Sequence, residues 1–283
     1  MQFTDFELDP RLQANLRAMG FEAPTPIQSA TIPAALAGRD ILGSAETGTG
    51  KTAAYLLPVL QKLISSPGPV RPRVLVVVPT RELALQVGEH AVQLGRGLPV
   101  RVATVYGGVG YGSQDKALQQ GVDIVIATPG RLLDQIARRR VSFGALEVLV
   151  LDEGDRMLDI GFLPDIRRIV RQLPSERQTM LFSATLESIV DLAHEVTRDA
   201  VRVQAEETVT PDAITQVVYP VPEHCKFDLL QRLLAQEGMD SVLIFTRTKH
   251  RADRLVRNLH RAHIDAMVIH GDRSQGQRVA ALD

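Results

Sequence analysis

The chain has 283 residues, a formal net charge of −1, 45% hydrophobic and 23% charged residues, 4% aromatic residues and no Trp. That length points to two domains with aliphatic cores, and the composition excludes a disordered or low-complexity chain. The near-neutral charge excludes a broadly basic surface, so any contact with a polyanion must be local.

Residues 1–6 carry acid where a secretory leader would carry base, and no stretch approaches the roughly 20 apolar residues of a membrane span. A soluble cytoplasmic protein without membrane contact is expected. The single cysteine, Cys225, excludes an internal disulfide and a multi-thiolate metal site, and His224 beside it reads as incidental.

In chain order, short β-branched runs at 40–43, 74–79, 100–106, 123–127, 148–152, 179–182 and 201–203 alternate with amphipathic stretches such as Leu83, Val87, Ala91 and Leu94. This alternation predicts a doubly wound α/β domain with a parallel sheet. It ends near residue 206, and the polar run closing on Pro211 predicts a linker at 207–213. The pattern restarts over 214–283, with strands expected at 214–221, 242–246 and 266–269 and helices at 226–236, 249–262 and 275–282. Three strands make a thin sheet, so this second domain is expected to be incomplete.

After the first strand come Ala45, Glu46, Thr47, Gly48, Thr49, Gly50, Lys51 and Thr52, followed by an apolar helix. That is the setting of a phosphate-binding loop. Its glycines let backbone amides reach phosphate oxygens, the helix N-terminus favours negative charge, Lys51 adds a full positive charge, and Thr52 offers a hydroxyl to Mg²⁺. The strict pattern begins with Gly where this chain has Ala45.

The strand over 148–152 ends in Asp152, Glu153, Gly154 and Asp155. Carboxylates at the carboxyl end of a parallel strand sit where such sheets bind ligand, so Asp152 suits Mg²⁺ and Glu153 suits a water attacking the γ-phosphate. A solvated acidic turn is the structural alternative.

These residues resemble the DEAD-box ATP-dependent RNA helicases of superfamily 2, over essentially the whole chain. Phe21, Pro24, Thr25, Pro26, Ile27 and Gln28 are similar to the family's Q motif, which implies adenine stacking by Phe21 and adenine hydrogen bonding by Gln28. Residues 45–52 look like motif I, where an initial Ala is usual. Residues 152–155 look like motif II, with Gly154 where the family has Ala. Removing that methyl is expected to tune the site at a cost of about 1 kcal/mol or less, not to abolish its chemistry.

The resemblance further implies that Asp155 links motif II to Ser183, Ala184 and Thr185, the motif III equivalent that couples nucleotide state to domain closure. Pro79, Thr80 and Arg81, Gly107 and Gly108, and Thr128, Pro129, Gly130 and Arg131 look like the RNA-contacting motifs Ia, GG and Ib. Each follows a strand, where amides and an Arg can hold successive phosphates without reading bases. Ordinary helix capping by Thr80 and Thr128 and surface ion pairs for Arg81 and Arg131 are the alternatives. The run Arg138, Arg139, Arg140 reads as a solvated cluster matched to a helix end.

In the second domain, Thr246 and Arg247 fall in a segment similar to motif IV, and Gln275 and Arg278 match the Gln-x-x-Arg motif that follows. The wording there looks most like the bacterial RhlE branch. No His-Arg-x-Gly-Arg segment occurs before Asp283, so motifs V and VI, including the arginine fingers, are not in this sequence.

The resemblance therefore implies an α/β chain with a RecA-like P-loop domain and a partial second RecA-like domain. Catalytic roles fall to Lys51, Asp152, Glu153, Asp155, Ser183 and Thr185, ATP and Mg²⁺ are the cofactors, and RNA backbone is the partner of a monomer. The expected activity of the parent protein is ATP-driven local unwinding of RNA duplexes, and this chain, without motifs V and VI, is expected to bind ATP, Mg²⁺ and RNA but to be weakly active or inactive. The alternative is a nucleotide- and RNA-binding module with little turnover; a DNA-directed motor is disfavoured by Phe21 and Gln28.

Overall fold

The computed structural model describes residues 1–46, 48–66, 68, 71–204, 215–236 and 238–281, without the side chains of Gln275 and Val279. It divides into two compact units, Met1–Thr208 and Val209–Asp283. The linker expected at 207–213 lies outside the described residues, as does Thr47 of the phosphate loop.

The first unit is built on a seven-stranded sheet with the order β3-β4-β2-β5-β6-β1-β7. The strands are β1 (Ile41–Ser44), β2 (Val74–Val77), β3 (Val102–Val105), β4 (Ile124–Ala127), β5 (Val148–Leu151), β6 (Gln178–Ser183) and β7 (Val201–Gln204). Every strand pair is parallel, and each strand lies where the sequence predicts one.

Strand side chains alternate between two cores. Val74, Val76, Ile124, Ile126, Val148, Val150, Met180 and Phe182 pack on one face against α1 (Pro10–Ala18), α2 (Pro26–Leu36), α3 (Lys51–Ser65) and α4 (Arg81–Leu94). Leu75, Val77, Val125, Leu149, Leu151 and Leu181 pack on the other. That second face is covered by α5 (Gly112–Gln119), α6 (Pro129–Ala137), α7 (Gly154–Asp159), α8 (Leu163–Val170) and α9 (Val190–Val196). The inner strands β2, β4 and β5 are apolar at every position because both faces are covered, and each fully buried aliphatic side chain contributes about 1.5–3 kcal/mol. The fold is the doubly wound α/β arrangement.

The second unit contains α10 (Lys226–Leu234), α11 (Lys249–Arg261) and α12 (Gln275–Val279), all within helices read from the sequence. The strands expected at 214–221, 242–246 and 266–269 are a correction: among the described residues there, none forms a strand. Their apolar side chains lie open, with Val218 89%, Phe245 87% and Leu243 73% exposed. A parallel strand exists only through ladder partners and cover on both faces, and these runs have neither.

Candidate active site

The predicted functional residues of the first unit gather at the carboxyl ends of its strands, because each strand there hands the chain to a loop and then a helix. After β1, the chain turns at Gly48 (φ +87°) and Gly50 (φ +92°), a left-handed backbone that glycine adopts without penalty, and enters α3 at Lys51. Lys51 is buried and its Nζ donates to the Ala45 carbonyl at 2.6 Å, folding the cation back over its own loop. Glu46 is exposed, and its carbonyl accepts the Thr49 hydroxyl at 2.8 Å.

The Q-motif segment is fastened to that loop. Pro26 opens α2, and the Thr25 N–H donates to Gln28 Oε1 at 3.0 Å, a reciprocal cap at the helix start. Gln28 Nε2 donates to the Gly50 carbonyl at 3.1 Å, and the Thr25 hydroxyl donates to the Thr49 carbonyl at 2.8 Å. Gln28 is fully buried, and a Cβ on Gly50 would collide with its amide nitrogen. Phe21 is half-buried and meets the ring of Phe3 edge-on, with centroids 6.0 Å apart.

The Asp152 carboxylate is buried next to α3. Tyr55 Oη donates to Asp152 Oδ2 at 3.0 Å, and the Glu153 N–H donates to Asp152 Oδ1 at 2.9 Å. Burial pushes the Asp152 carboxyl upward, opposed by the Lys51 charge and the Tyr55 hydrogen bond. Burial, then the Asp152 charge, push the Tyr55 phenol well above its ordinary value, so it keeps its proton and donates.

Glu153 holds φ 52°, ψ 55°, a left-handed conformation that costs a non-glycine residue about 1–3 kcal/mol. Its side chain is buried, with Oε2 taking the Arg156 guanidinium at 3.1 Å.

Asp155 reaches motif III as the resemblance implies. Its Oδ2 accepts the Ala184 N–H at 3.1 Å, the Thr185 N–H at 3.2 Å and the Thr185 hydroxyl at 3.3 Å, while the Asp155 N–H donates to Ser183 Oγ at 3.3 Å. Burial raises the Asp155 carboxyl, and the Arg156 and Thr185 amides outweigh it, leaving the group below the usual carboxylate range. Ser183 is fixed by the register of β6, directly opposite Ser44 of β1.

The residues predicted to touch RNA divide by what they do in the fold. Thr80 caps α4, accepting the Leu83 N–H at 3.2 Å, and Pro79 is buried before it. Arg81 lies across Gly107 and Gly108; Gly108 has φ +79°, and any Cβ there would strike the guanidinium. Thr128 is buried at the start of α6 with Pro129 behind it, and Gly130 is exposed.

Arg131 is not a surface cation. It is 8% exposed, donates to Gln114 Oε1 at 3.3 Å and the Val109 carbonyl at 2.9 Å, and stacks 4.1 Å from the Tyr111 ring centroid. It therefore shapes the loop that carries Gly107 and Gly108. Arg138 also lies 4.1 Å from the Tyr111 centroid, and Asp115 pairs with Arg138 at 3.3 Å and Arg140 at 3.5 Å, so that run is partly neutralised.

In the second unit, the Thr246 hydroxyl donates to the Thr248 carbonyl at 3.0 Å, and Thr248 caps α11. Arg247 is exposed and Arg278 half-buried, while the Gln275 side chain lies outside the described residues. Among the described residues, no three His, Cys, Asp or Glu side chains form a metal-binding group, and no helix is long and apolar enough to cross a membrane.

Residues 25–193 match the DEAD/DEAH box helicase family model, and residues 225–283 match the helicase conserved C-terminal domain. The chain belongs to the DEAD/DEAH box helicase family. Relatives of this helicase chain include "ATP-dependent RNA helicase RhlB" of Xanthomonas oryzae pv. oryzae, 43% identical over 291 residues covering 99% of this chain and 51% of the relative. The "ATP-dependent RNA helicase CshA" of Listeria monocytogenes is 42% identical over 284 residues, covering 99% of this chain and 54% of the relative. "DEAD-box ATP-dependent RNA helicase CshA" of Bacillus subtilis is 41% identical over 283 residues, covering 99% and 57%. The helicase chain thus spans about half the length of the RhlB relative. These relatives are named RhlB and CshA; the RhlE branch rests on motif wording alone.

Sequence reasoning reached the DEAD/DEAH box helicase motifs but missed Tyr55 and Arg156, which grip Asp152 and Glu153. The available signal for Tyr55 was its spacing: three residues after Thr52 on a helix, it shares that residue's face.

Proposed function

We propose that this chain is the ATP-binding and RNA-backbone-binding core of an ATP-dependent RNA helicase acting as a cytoplasmic monomer. The domains proposed are 1–206, with a linker at 207–213, and 214–283. The observation that carries the reading is the set of hydrogen bonds tying Gln28 to the phosphate loop and Asp155 to Ala184 and Thr185, which turns separate motifs into one surface at the strand ends.

In this reading Lys51 leaves the Ala45 carbonyl to meet the phosphates, with amides of residues 46–50 around them. Phe21 offers its ring to adenine, and Gln28 positions the loop below it. Thr52 and Asp152 supply hydroxyl and carboxylate oxygens, the hard donors that Mg²⁺ takes, and Tyr55, three residues after Thr52 on α3, bonds Asp152, so the donor set fits that ion. When bound, the ion neutralises phosphate charge.

Glu153 is released from Arg156 to orient the attacking water. The Asp155 link transmits the change to Ser183 and Thr185. Arg81 over Gly107 and Gly108, with the amides after Thr80 and Thr128, holds RNA phosphates. Thr246, Arg247, Gln275 and Arg278 carry the second unit's share of the strand.

The test is ATP binding, RNA-stimulated phosphate release and strand displacement by the wild-type protein and by Lys51→Ala and Glu153→Gln. The reading requires ATP binding lost in the first variant, retained in the second, and hydrolysis lost in both. ATP-independent RNA binding alone, or displacement of DNA duplexes only, overturns it.

A further inference from the structure

Tyr55 has no role in the nucleotide chemistry assigned above, yet its hydroxyl bonds a group that has one. The ring is fully buried on α3, with its centroid 5.5 Å from that of Phe182 on β6.

Oη of Tyr55, three residues along α3 from Thr52, donates to Asp152 Oδ2 at 3.0 Å. A phenol has one proton and an ionised carboxylate has none, so the Tyr55 proton goes to Asp152 and the direction of the bond is fixed.

Asp152 is held at both oxygens, by Tyr55 on Oδ2 and by the Glu153 amide on Oδ1. Each oxygen keeps a lone pair for a ligand. A phenylalanine would fill the same space without the bond to Oδ2.

We propose that Tyr55 is a positioning residue for the divalent cation that accompanies the nucleotide, holding the Asp152 carboxylate as a preformed oxygen ligand. This rests on the reading of the chain as an ATP-Mg²⁺-binding protein. Partners of this outer kind orient the ligands themselves, and their loss typically weakens metal binding about 10- to 100-fold.

The experiment is equilibrium binding of a fluorescent adenosine diphosphate to the full chain, first with EDTA and then across a Mg²⁺ titration, for wild type and Tyr55→Phe. The expected result is metal-free nucleotide affinity within about twofold of wild type and a Mg²⁺ concentration for half-maximal enhancement raised at least about tenfold. An unchanged Mg²⁺ midpoint overturns the inference, as does an equal loss of affinity with and without the metal, which would mark Tyr55 as packing only. In an Asp152→Asn background, Tyr55→Phe should leave the Mg²⁺ midpoint where it is.

Should Tyr55→Phe fail to fold, 3-fluorotyrosine is incorporated into a chain with Tyr106, Tyr111 and Tyr219 replaced by Phe, leaving one fluorine label at Tyr55. At fixed nucleotide its resonance should move with added Mg²⁺, and a resonance that stays still overturns the inference. If wild type binds no nucleotide, the ATP reading fails first and this inference with it; Mg²⁺-enhanced binding with a Tyr55-insensitive midpoint sinks this inference alone.

Discussion

The Gln28 side-chain amide donates to the Gly50 carbonyl at 3.1 Å, joining the start of α2 to the last residue of the phosphate loop. Gln28 is fully buried and its partners Thr25 and Gly50 are half-buried. Gln28→Leu should strip the Thr25 amide of its acceptor and the Gly50 carbonyl of one of its two donors, the other being the Ala54 N–H at 3.2 Å, lowering stability by about 1–3 kcal/mol in urea unfolding. Nucleotide affinity should fall by about tenfold or more in a binding titration, because the loop loses its anchor. Gln28→Glu, which keeps the acceptor for Thr25 but buries a charge against a carbonyl, should fare worse than Gln28→Leu.

Gly107 and Gly108 respond differently to the same substitution. At Gly107 a Cβ would stand 3.7 Å from the Arg81 guanidinium, an ordinary contact, whereas Gly108 combines φ +79° with a collision against that group. Gly107→Ala should change stability by less than about 0.5 kcal/mol. Gly108→Ala should cost about 1 kcal/mol or more and move Arg81, weakening RNA binding in a filter or anisotropy assay.

Gly154 has room for one methyl and no more. An added Cβ meets Leu181 Cδ1 at 3.1 Å, which a small shift of that flexible side chain relieves, and the backbone there needs no left-handed φ. Gly154→Ala should raise stability by about 1 kcal/mol or less, mainly by restricting the unfolded chain. Gly154→Val should lower it by about 1–3 kcal/mol, since its branches face the Phe182 carbonyl and Ile189 Cγ2, each 3.5 Å from the Cβ position. Chemical denaturation of both variants decides.

The pH dependence of the Asp155 link follows from the sign of its shift. The folded carboxyl lies below its ordinary value, so the link's contribution is present above the unfolded value near 4 and is lost as pH falls through the lower folded value. The Ala184 and Thr185 amide resonances should therefore titrate with a midpoint below about 4, and Asp155→Asn should erase that titration. A midpoint above the ordinary carboxylate value would contradict the geometry.

By itself the sequence determined the first unit's seven strands, the loop at 45–52 and the acidic strand end at 152–155. Burial on both faces writes itself as short apolar runs, and turn chemistry as glycines next to Lys51; both are properties of near neighbours along the chain. Helix spacing also placed α10, α11 and α12. The strands expected in the second unit failed for a related reason: a strand pattern says which face is apolar and nothing about whether a partner is present to pair with it.

Tertiary structure alone decided which motif touches which. Gln28 and Gly50 are 22 residues apart, Asp155 and Ala184 are 29, and Tyr55 and Asp152 are 97, so these contacts depend on the strand order that sets β1 beside β6 and β6 beside β5. The same order buried Arg131 against Gln114 and Val109, where the sequence offered an RNA-phosphate contact or a surface ion pair. Local composition fixes what a residue can donate or accept, and the packing of distant strands fixes the atom that receives it.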